Sequence, residues 1–128
     1  MLESDLSRHF DCIIGGNEYC QWETFNATCT GANETISITS ARYGRMRVGR
    51  CAPNYYMIGC VADVSDLVKS RCDAKTSCAI SLPDRELAAR DPCRKDVNAY
   101  LEVDYQCVPG ETKQSLRYIA NSRCLRRI

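Results

Sequence analysis

The stretch VNAYLEVDYQC, residues 97–107, alternates apolar and polar side chains and indicates the class of fold. Leu101 and Val103 point to one side of this stretch. Glu102 and Asp104 point to the other side, where we expect them to be solvated. Successive side chains of a strand face opposite sides of its sheet, so the pattern predicts a half-buried β-strand.

The same alternation recurs earlier, in the stretch ETISITSA at residues 34–41. Ile36 and Ile38 share one face, and hydroxyl side chains occupy the other. This period of two predicts a second half-buried strand. Shorter strands are predicted at residues 78–82 and 22–29.

Two segments have helical character. In residues 63–72 the apolar side chains fall on one helical stripe, and Asp63 is placed to cap the first turn. Residues 83–89 begin with a proline and have acids in the first turn, and Pro92 should end this helix. Strands with two short helices predict an α+β fold, a small antiparallel β-sandwich rich in disulfides.

Ten cysteines in 128 residues indicate a disulfide framework formed in an oxidising compartment. A structural zinc site is the alternative, but it needs cysteines two to four residues apart. The closest pair is Cys72 and Cys78, and the only histidine is His9. We therefore expect no metal and no other cofactor.

Two N-glycosylation sequons, at Asn26 and Asn33, are typical of a glycoprotein that passes through the secretory pathway. No apolar run is long enough to cross a membrane, and the chain does not begin with a signal-peptide core. The expected location is extracellular, either secreted or in the ectodomain of a membrane-anchored parent.

The net charge gives no indication of a nucleic-acid partner, because the chain has 17 Lys and Arg residues and 16 Asp and Glu residues. Thirteen of the 17 basic residues are arginine, whose planar guanidinium binds carboxylate and sulfate groups better than lysine does because it can donate two parallel hydrogen bonds. Arginines cluster between residues 42 and 50 and again between 117 and 127. They predict either a sulfate-binding surface or solvated residues balanced by acids.

An enzyme is not expected, since no nucleophile has a neighbouring base.

Three motifs indicate a family: ARYGR at residues 41–45, DPC at 91–93 and YLEVDYQC at 100–107. Together with the cysteine spacing, they resemble the galactose/rhamnose-binding SUEL lectin domain found in fish-egg lectins and latrophilins. The resemblance covers residues 20–107. It leaves residues 1–19 as an N-terminal lead-in and residues 108–128 as a basic C-terminal extension.

The resemblance also implies how the cysteines pair. Four bonds follow from the family pattern: Cys20–Cys51, Cys29–Cys107, Cys60–Cys93 and Cys72–Cys78. Cys12 and Cys124 are then left over, and the simplest inference is a fifth bond between the lead-in and the tail.

Sugar-binding members of the family form their pocket from an acid, the Tyr of YGR, the Asp of DPC and a Lys before YLEV. In this chain those positions are Gln21, Tyr43, Asp91 and Ala99, so a charge and a cationic donor are missing. We expect Trp22 to fill part of the pocket.

A separate expectation concerns the turn within the YGR motif. Gly44 permits a tight turn at the end of its strand, and this turn should present Tyr43 and Arg45 outward.

These features predict a binding module that contacts an extracellular protein or its glycan through Gln21, Tyr43, Arg45 and Asp91. Its parent is expected to be a cell-surface receptor of the adhesion or axon-guidance type. One alternative is a soluble rhamnose- or galactose-binding lectin. The other is a heparan-sulfate-binding domain, whose basic surface would be formed by Arg42, Arg47 and Arg50.

Overall fold

The computed structural model describes residues 17–110, and within that range the chain forms six strands and two helices. This confirms the predicted α+β class. The elements, in chain order, are β1 (Glu18–Tyr19), β2 (Thr24–Thr28), β3 (Glu34–Gly44), β4 (Val61–Asp63), α1 (Ser65–Cys72), β5 (Ser77–Ser81), α2 (Arg85–Ala89) and β6 (Tyr100–Pro109).

The strands form two antiparallel sheets. The larger has the order β1-β6-β3-β4, and the smaller pairs β2 with β5. The longest ladder joins β3 and β6, beginning with Glu34 opposite Pro109. It ends with Gly44 opposite Tyr100, after an irregularity between Ile38 and Ser40.

Both sheets and both helices contribute side chains to one core. Ile36 and Ile38 are each 1% exposed, as the alternation of their strand predicts. Phe25 of the smaller sheet lies between two tyrosines of the larger one, with ring centroids 5.3 Å from Tyr19 and 5.8 Å from Tyr105. Such edge-to-face contacts join the two layers of the sandwich.

Each helix begins beside an aspartate. The prediction that Asp63 caps α1 is wrong, because Val64 occupies the N-cap position and no side chain caps this helix. The Asp63 carboxylate instead accepts the backbone N–H of Ser65 at 2.9 Å, and the helix begins there, two residues later than predicted. Asp84 caps α2 by accepting hydrogen bonds from two backbone N–H groups, and it also accepts hydrogen bonds from Nη1 and Nη2 of Arg71 at 2.8 and 2.9 Å. Because Arg71 belongs to α1, this carboxylate fixes the two helices to each other.

All eight cysteines within the described range are bonded in the pairs that the family resemblance implies. Their sequence separations range from 6 for Cys72–Cys78 to 78 for Cys29–Cys107. The predicted bond between Cys12 and Cys124 lies outside the described residues.

The sheet extends past the expected domain boundaries. Glu18 pairs with Glu102 and Tyr19 with Leu101, so the end of the lead-in belongs to the sheet. β6 continues to Pro109. Neither β1 nor β4 was predicted, because strands of two and three residues are too short to show a period.

One face prediction was wrong. Glu102 is only 6% exposed, although it lies on the side of β6 expected to be solvated. Arg42 and Arg47 both form ion pairs with its carboxylate, and their side chains shield it from water.

No helix among residues 17–110 is long and apolar enough to span a lipid bilayer.

Candidate functional site

The predicted site residues converge at the end of the larger sheet where β3 ends and β6 begins. Gly44 allows the strands to come this close, because a Cβ atom there would lie 2.1 Å from the carbonyl oxygen of Cys60. Its φ of +150° is also in a region that favours glycine. The backbone N–H of Arg45 then donates to the same Cys60 carbonyl at 2.9 Å.

Gln21 connects two of the segments at this end. Its Nε2 donates to the hydroxyl oxygen of Tyr43 at 2.9 Å and to the backbone carbonyl of Ala99 at 2.7 Å. Both amide hydrogens are used within the protein, and Oε1 remains as an acceptor. A carboxylate could not make the same two donations, so an amide suits this position.

Tyr43 is 3% exposed and packs in the core, so the expectation that it points outward was wrong. Its ring follows the buried face of β3, and only its hydroxyl reaches the site. Burial raises the pKa of Tyr43, and the negative charge of Asp91 raises it further, although the bond from Gln21 acts in the opposite direction. The phenol therefore stays protonated at neutral pH and can donate a hydrogen bond.

Asp91 lies close enough for its charge to act on Tyr43. One of its oxygens, Oδ1, accepts the backbone N–H of Cys93 at 2.8 Å and fixes the turn that leads into the Cys60–Cys93 bond. Among residues 17–110, no hydrogen-bond donor contacts the other oxygen, Oδ2. This second oxygen can therefore accept a bond from a ligand.

Arg45 was also expected to point outward, but it is 4% exposed. Its guanidinium donates to the backbone carbonyls of Tyr56 at 2.8 Å and Asn98 at 3.1 Å, and to Asn54 at 3.3 and 3.4 Å. No carboxylate in the described part of the chain pairs with it. Arg45 therefore positions the loop at residues 54–56 against residues 98–99, and its own donors are directed inward.

Three aromatic side chains project from the loops near this site. Trp22 is 84% exposed, Tyr55 83% and Tyr56 47%. The Cys20–Cys51 bond joins the two loops that contain them, with Cα atoms 5.2 Å apart. Trp22 does not fill a pocket, because its φ of +73° and the bond from its backbone N–H to the Leu82 carbonyl direct the side chain outward. Tyr55 and Tyr56 were not predicted as site residues, and the only signal for them in the sequence is their position in the loop between Cys51 and Cys60.

Glutamates pair with the arginines of the expected basic surface. Arg42 contacts Glu102, and Arg47 contacts both Glu102 and Glu18. A fourth ion pair joins Arg50 to Glu23, with nitrogen and oxygen 2.5 Å apart. Arginine and glutamate side chains therefore alternate on this surface. The arginines are balanced by acids, which agrees with the second of the two interpretations of their clustering in the sequence.

The site can form hydrogen bonds to neutral hydroxyl groups. Tyr43 supplies a donor, while Gln21 and Asp91 each supply an acceptor oxygen. Ala99 has only a backbone carbonyl here, which already accepts the bond from Gln21, so the cationic donor that the family resemblance implies at this position is missing. Within the described range no group of three or more His, Cys, Asp or Glu side chains is placed to hold a metal ion.

Comparison with known proteins agrees with this fold. The protein-family model described as the D-galactoside/L-rhamnose binding SUEL lectin domain matches residues 27–107. Adhesion G protein-coupled receptor L1 from Bos taurus is 29% identical over 101 residues, which cover 76% of this chain. The matched segment is 7% of that receptor, so the chain spans a small part of this relative. Tyr43 and Asp91 lie inside the matched family region, and Gln21 precedes it.

Proposed function

The chain belongs to the D-galactoside/L-rhamnose-binding SUEL lectin family, and on this premise we propose that it is a non-catalytic recognition module of an extracellular or cell-surface protein. It binds a partner protein, or a glycan on that partner, at the end of the larger sheet. Gln21, Tyr43 and Asp91 provide the hydrogen bonds at this site.

The observation that supports this proposal is the preformed bond between Gln21 and Tyr43. It holds a protonated phenol beside the free oxygen of Asp91, in a part of the fold fixed by Arg45 and two disulfides. Groups held in place before binding lose little entropy when a ligand arrives. The arrangement therefore suits recognition.

The exposed aromatic side chains favour a partner larger than a single sugar. Trp22 and Tyr55 are each more than four-fifths exposed, on loops held by the Cys20–Cys51 bond. Tryptophan and tyrosine are the residues that most often dominate the binding energy of protein interfaces. The same rings also cover the apolar faces of sugars, so a glycan on a protein would engage both surfaces.

A cell-surface context is supported by the receptor relative. The matched protein is an adhesion G protein-coupled receptor, and residues 27–107 of this chain match the lectin family model. We propose that the parent of this domain is likewise displayed at the cell surface, where it contributes to adhesion. A secreted lectin with the same site is the alternative.

Calorimetric titration with L-rhamnose and D-galactose tests the glycan component. The informative variant is Tyr43→Phe, which keeps the buried ring and removes only the donor. Tyr105→Phe is the matched control, because that ring packs against Phe25 on the sandwich core. If the pocket binds sugar, Tyr43→Phe should abolish the heat and Tyr105→Phe should preserve it.

Binding of fluorescently labelled domain to intact mammalian cells tests the protein component. Trp22→Ala and Tyr55→Ala should each reduce this binding at least fivefold, and Tyr105→Phe should leave it unchanged. The proposal fails if neither sugar produces heat and cell binding does not respond to any substitution at the site.

Heparan sulfate gains no support from the described arginines, because Arg42, Arg47 and Arg50 are paired with glutamates. Elution of the domain from a heparin column below physiological salt would agree with that pairing. Retention well above it would instead assign binding to arginines outside the described range, at residues 117–127.

A further inference from the structure

We infer that Asn26 and Asn33 both carry N-linked glycans, and that the glycan on Asn33 leaves the aromatic loops of the recognition site uncovered. The inference relies on the proposed function only for the secretory route that the protein takes. Occupancy of each asparagine can be measured even if no partner is ever found.

Asn26 is accessible to a glycosyltransferase although it lies in a strand. It is exposed, and its neighbours Phe25 and Ala27 face the core. Thr28, the hydroxyl residue of this sequon, is exposed on the same face of β2. Within residues 17–110 the Asn26 side-chain amide has no hydrogen-bond partner, so no existing contact has to break.

The surface around Asn26 suits a covering glycan. Every exposed residue of β2 and β5 on this face is small and uncharged, and none projects above the sheet as a long side chain would. They are Thr24, Asn26, Thr28, Ser77, Ala79 and Ser81. A hydrophilic glycan here would prevent this flat face from packing against another sheet.

Asn33 lies at the opposite end of the larger sheet from the site. It is exposed in the turn before β3, with a φ of +60° that asparagine tolerates well. Its own backbone carbonyl accepts the N–H of Gly110 at 3.0 Å, which fixes the turn. From Glu34 to Tyr43 the strand advances nine residues, or about 30 Å at the usual rise per residue.

The mass of the secreted protein tests occupancy. The chain is produced in glycosylating eukaryotic cells, and its intact mass is measured before and after peptide N-glycosidase. We expect two glycans on the wild type and one on each of Asn26→Gln and Asn33→Gln. Thr28→Ser keeps the sequon and should keep both glycans, whereas Thr28→Ala should lose one. A secreted protein whose mass equals that of the bare chain would overturn the inference.

Hydroxyl-radical footprinting tests whether the site stays open, and it needs no ligand. In the Asn26→Gln variant, which carries only the Asn33 glycan, oxidation of Trp22 and Tyr55 is compared before and after enzymatic removal of that glycan, and it should change by less than a factor of two. Tyr56→Thr provides a positive control, because it makes Asn54 the acceptor of a new sequon within the aromatic loop. A glycan on Asn54 should protect Tyr55 at least threefold relative to Tyr56→Ala.

A rise in Trp22 or Tyr55 oxidation after removal of the Asn33 glycan would show that this glycan covers the site, and would overturn that part of the inference. Failure of the proposed function would appear differently. In that case the two glycans would be present and the loops open, yet neither sugars nor cells would bind the domain.

Discussion

At the scale of single residues, the amide of Gln21 is the group whose chemistry is most constrained. We predict that Gln21→Glu destabilises the fold at pH 7 by about 1–3 kcal/mol, since a carboxylate cannot donate to the Ala99 carbonyl and places a negative charge beside it, even though the Tyr43 hydroxyl can donate to the new group. The new carboxyl should have a raised pKa. Its protonated form can donate a bond, so the loss should shrink as pH falls from 7 to 4. Urea unfolding of both proteins at the two pH values measures this.

An equal loss of stability at pH 4 and pH 7 would contradict that account of Gln21. Gln21→Ala is the control, because it removes the same bonds without adding a charge. Its free energy of unfolding relative to wild type should be nearly independent of pH between 4 and 7.

The sequence predicted part of this site through its family motifs, and it failed where burial depends on distant backbone. Gln21, Tyr43 and residue 99 do converge, as the motifs imply. Arg45 was expected to point outward because Gly44 permits a tight turn at the end of the strand. Its burial depends on the backbone carbonyl groups of Asn54, Tyr56 and Asn98. No local sequence pattern predicts that these three groups come together.

At the scale of secondary-structure elements, the carboxylate of Asp84 combines a helix cap with an ion pair. We predict that Asp84→Asn costs about 1–2 kcal/mol at pH 7, because an amide still caps α2 but loses the charge-assisted fork with Arg71. Hydrogen bonds from Arg71 lower the pKa of Asp84 below its ordinary 3.8. The stabilisation is therefore present above about pH 3.8 and lost as pH falls through the lowered pKa. Unfolding in urea between pH 2 and 7 should show the wild type and the variant converging in acid.

Asp66→Asn is the matched control for Asp84→Asn. Asp66 also pairs with an arginine, Arg90, but its side chain is 72% exposed. Water and salt screen such a pair, so this substitution should change the free energy of unfolding far less than Asp84→Asn does. If the two substitutions lowered the free energy of unfolding equally, the ion pair between Arg71 and Asp84 would stabilise the fold no more than the exposed pair does.

The elements themselves were predictable where a pattern was long enough to repeat. β3 and β6 follow clear alternation, yet β3 differs from the prediction at its end and β6 at both ends. β3 continues from residue 41 to Gly44 because the short strand β4 pairs with Arg42–Gly44. β6 starts at Tyr100, since Gln21 and Arg45 take the carbonyls of Ala99 and Asn98. In both cases a partner distant in sequence determines where the strand ends.

At the scale of the whole molecule, disulfides connect regions that the sheets leave separate. Cys20–Cys51 joins the two loops that contain the exposed aromatic residues, and Cys60–Cys93 anchors the turn of Asp91. Cys29–Cys107 closes the longest loop, across 78 residues. A domain this small has a limited core, so these bonds supply much of its stability and hold the site in shape.

The four bonds should therefore differ in how much each contributes to stability. In the chain-entropy treatment, a closed loop of 78 residues stabilises by about 4.5 kcal/mol and one of 6 residues by about 2 kcal/mol. We predict that replacing Cys29 and Cys107 together with alanine lowers the free energy of unfolding by roughly twice as much as replacing Cys72 and Cys78. Equilibrium unfolding in urea under non-reducing conditions measures both. Cys72 is fully buried, which adds a packing cost to the short-loop variant. If that variant proved the less stable of the two, packing around α1 would outweigh loop entropy in this fold.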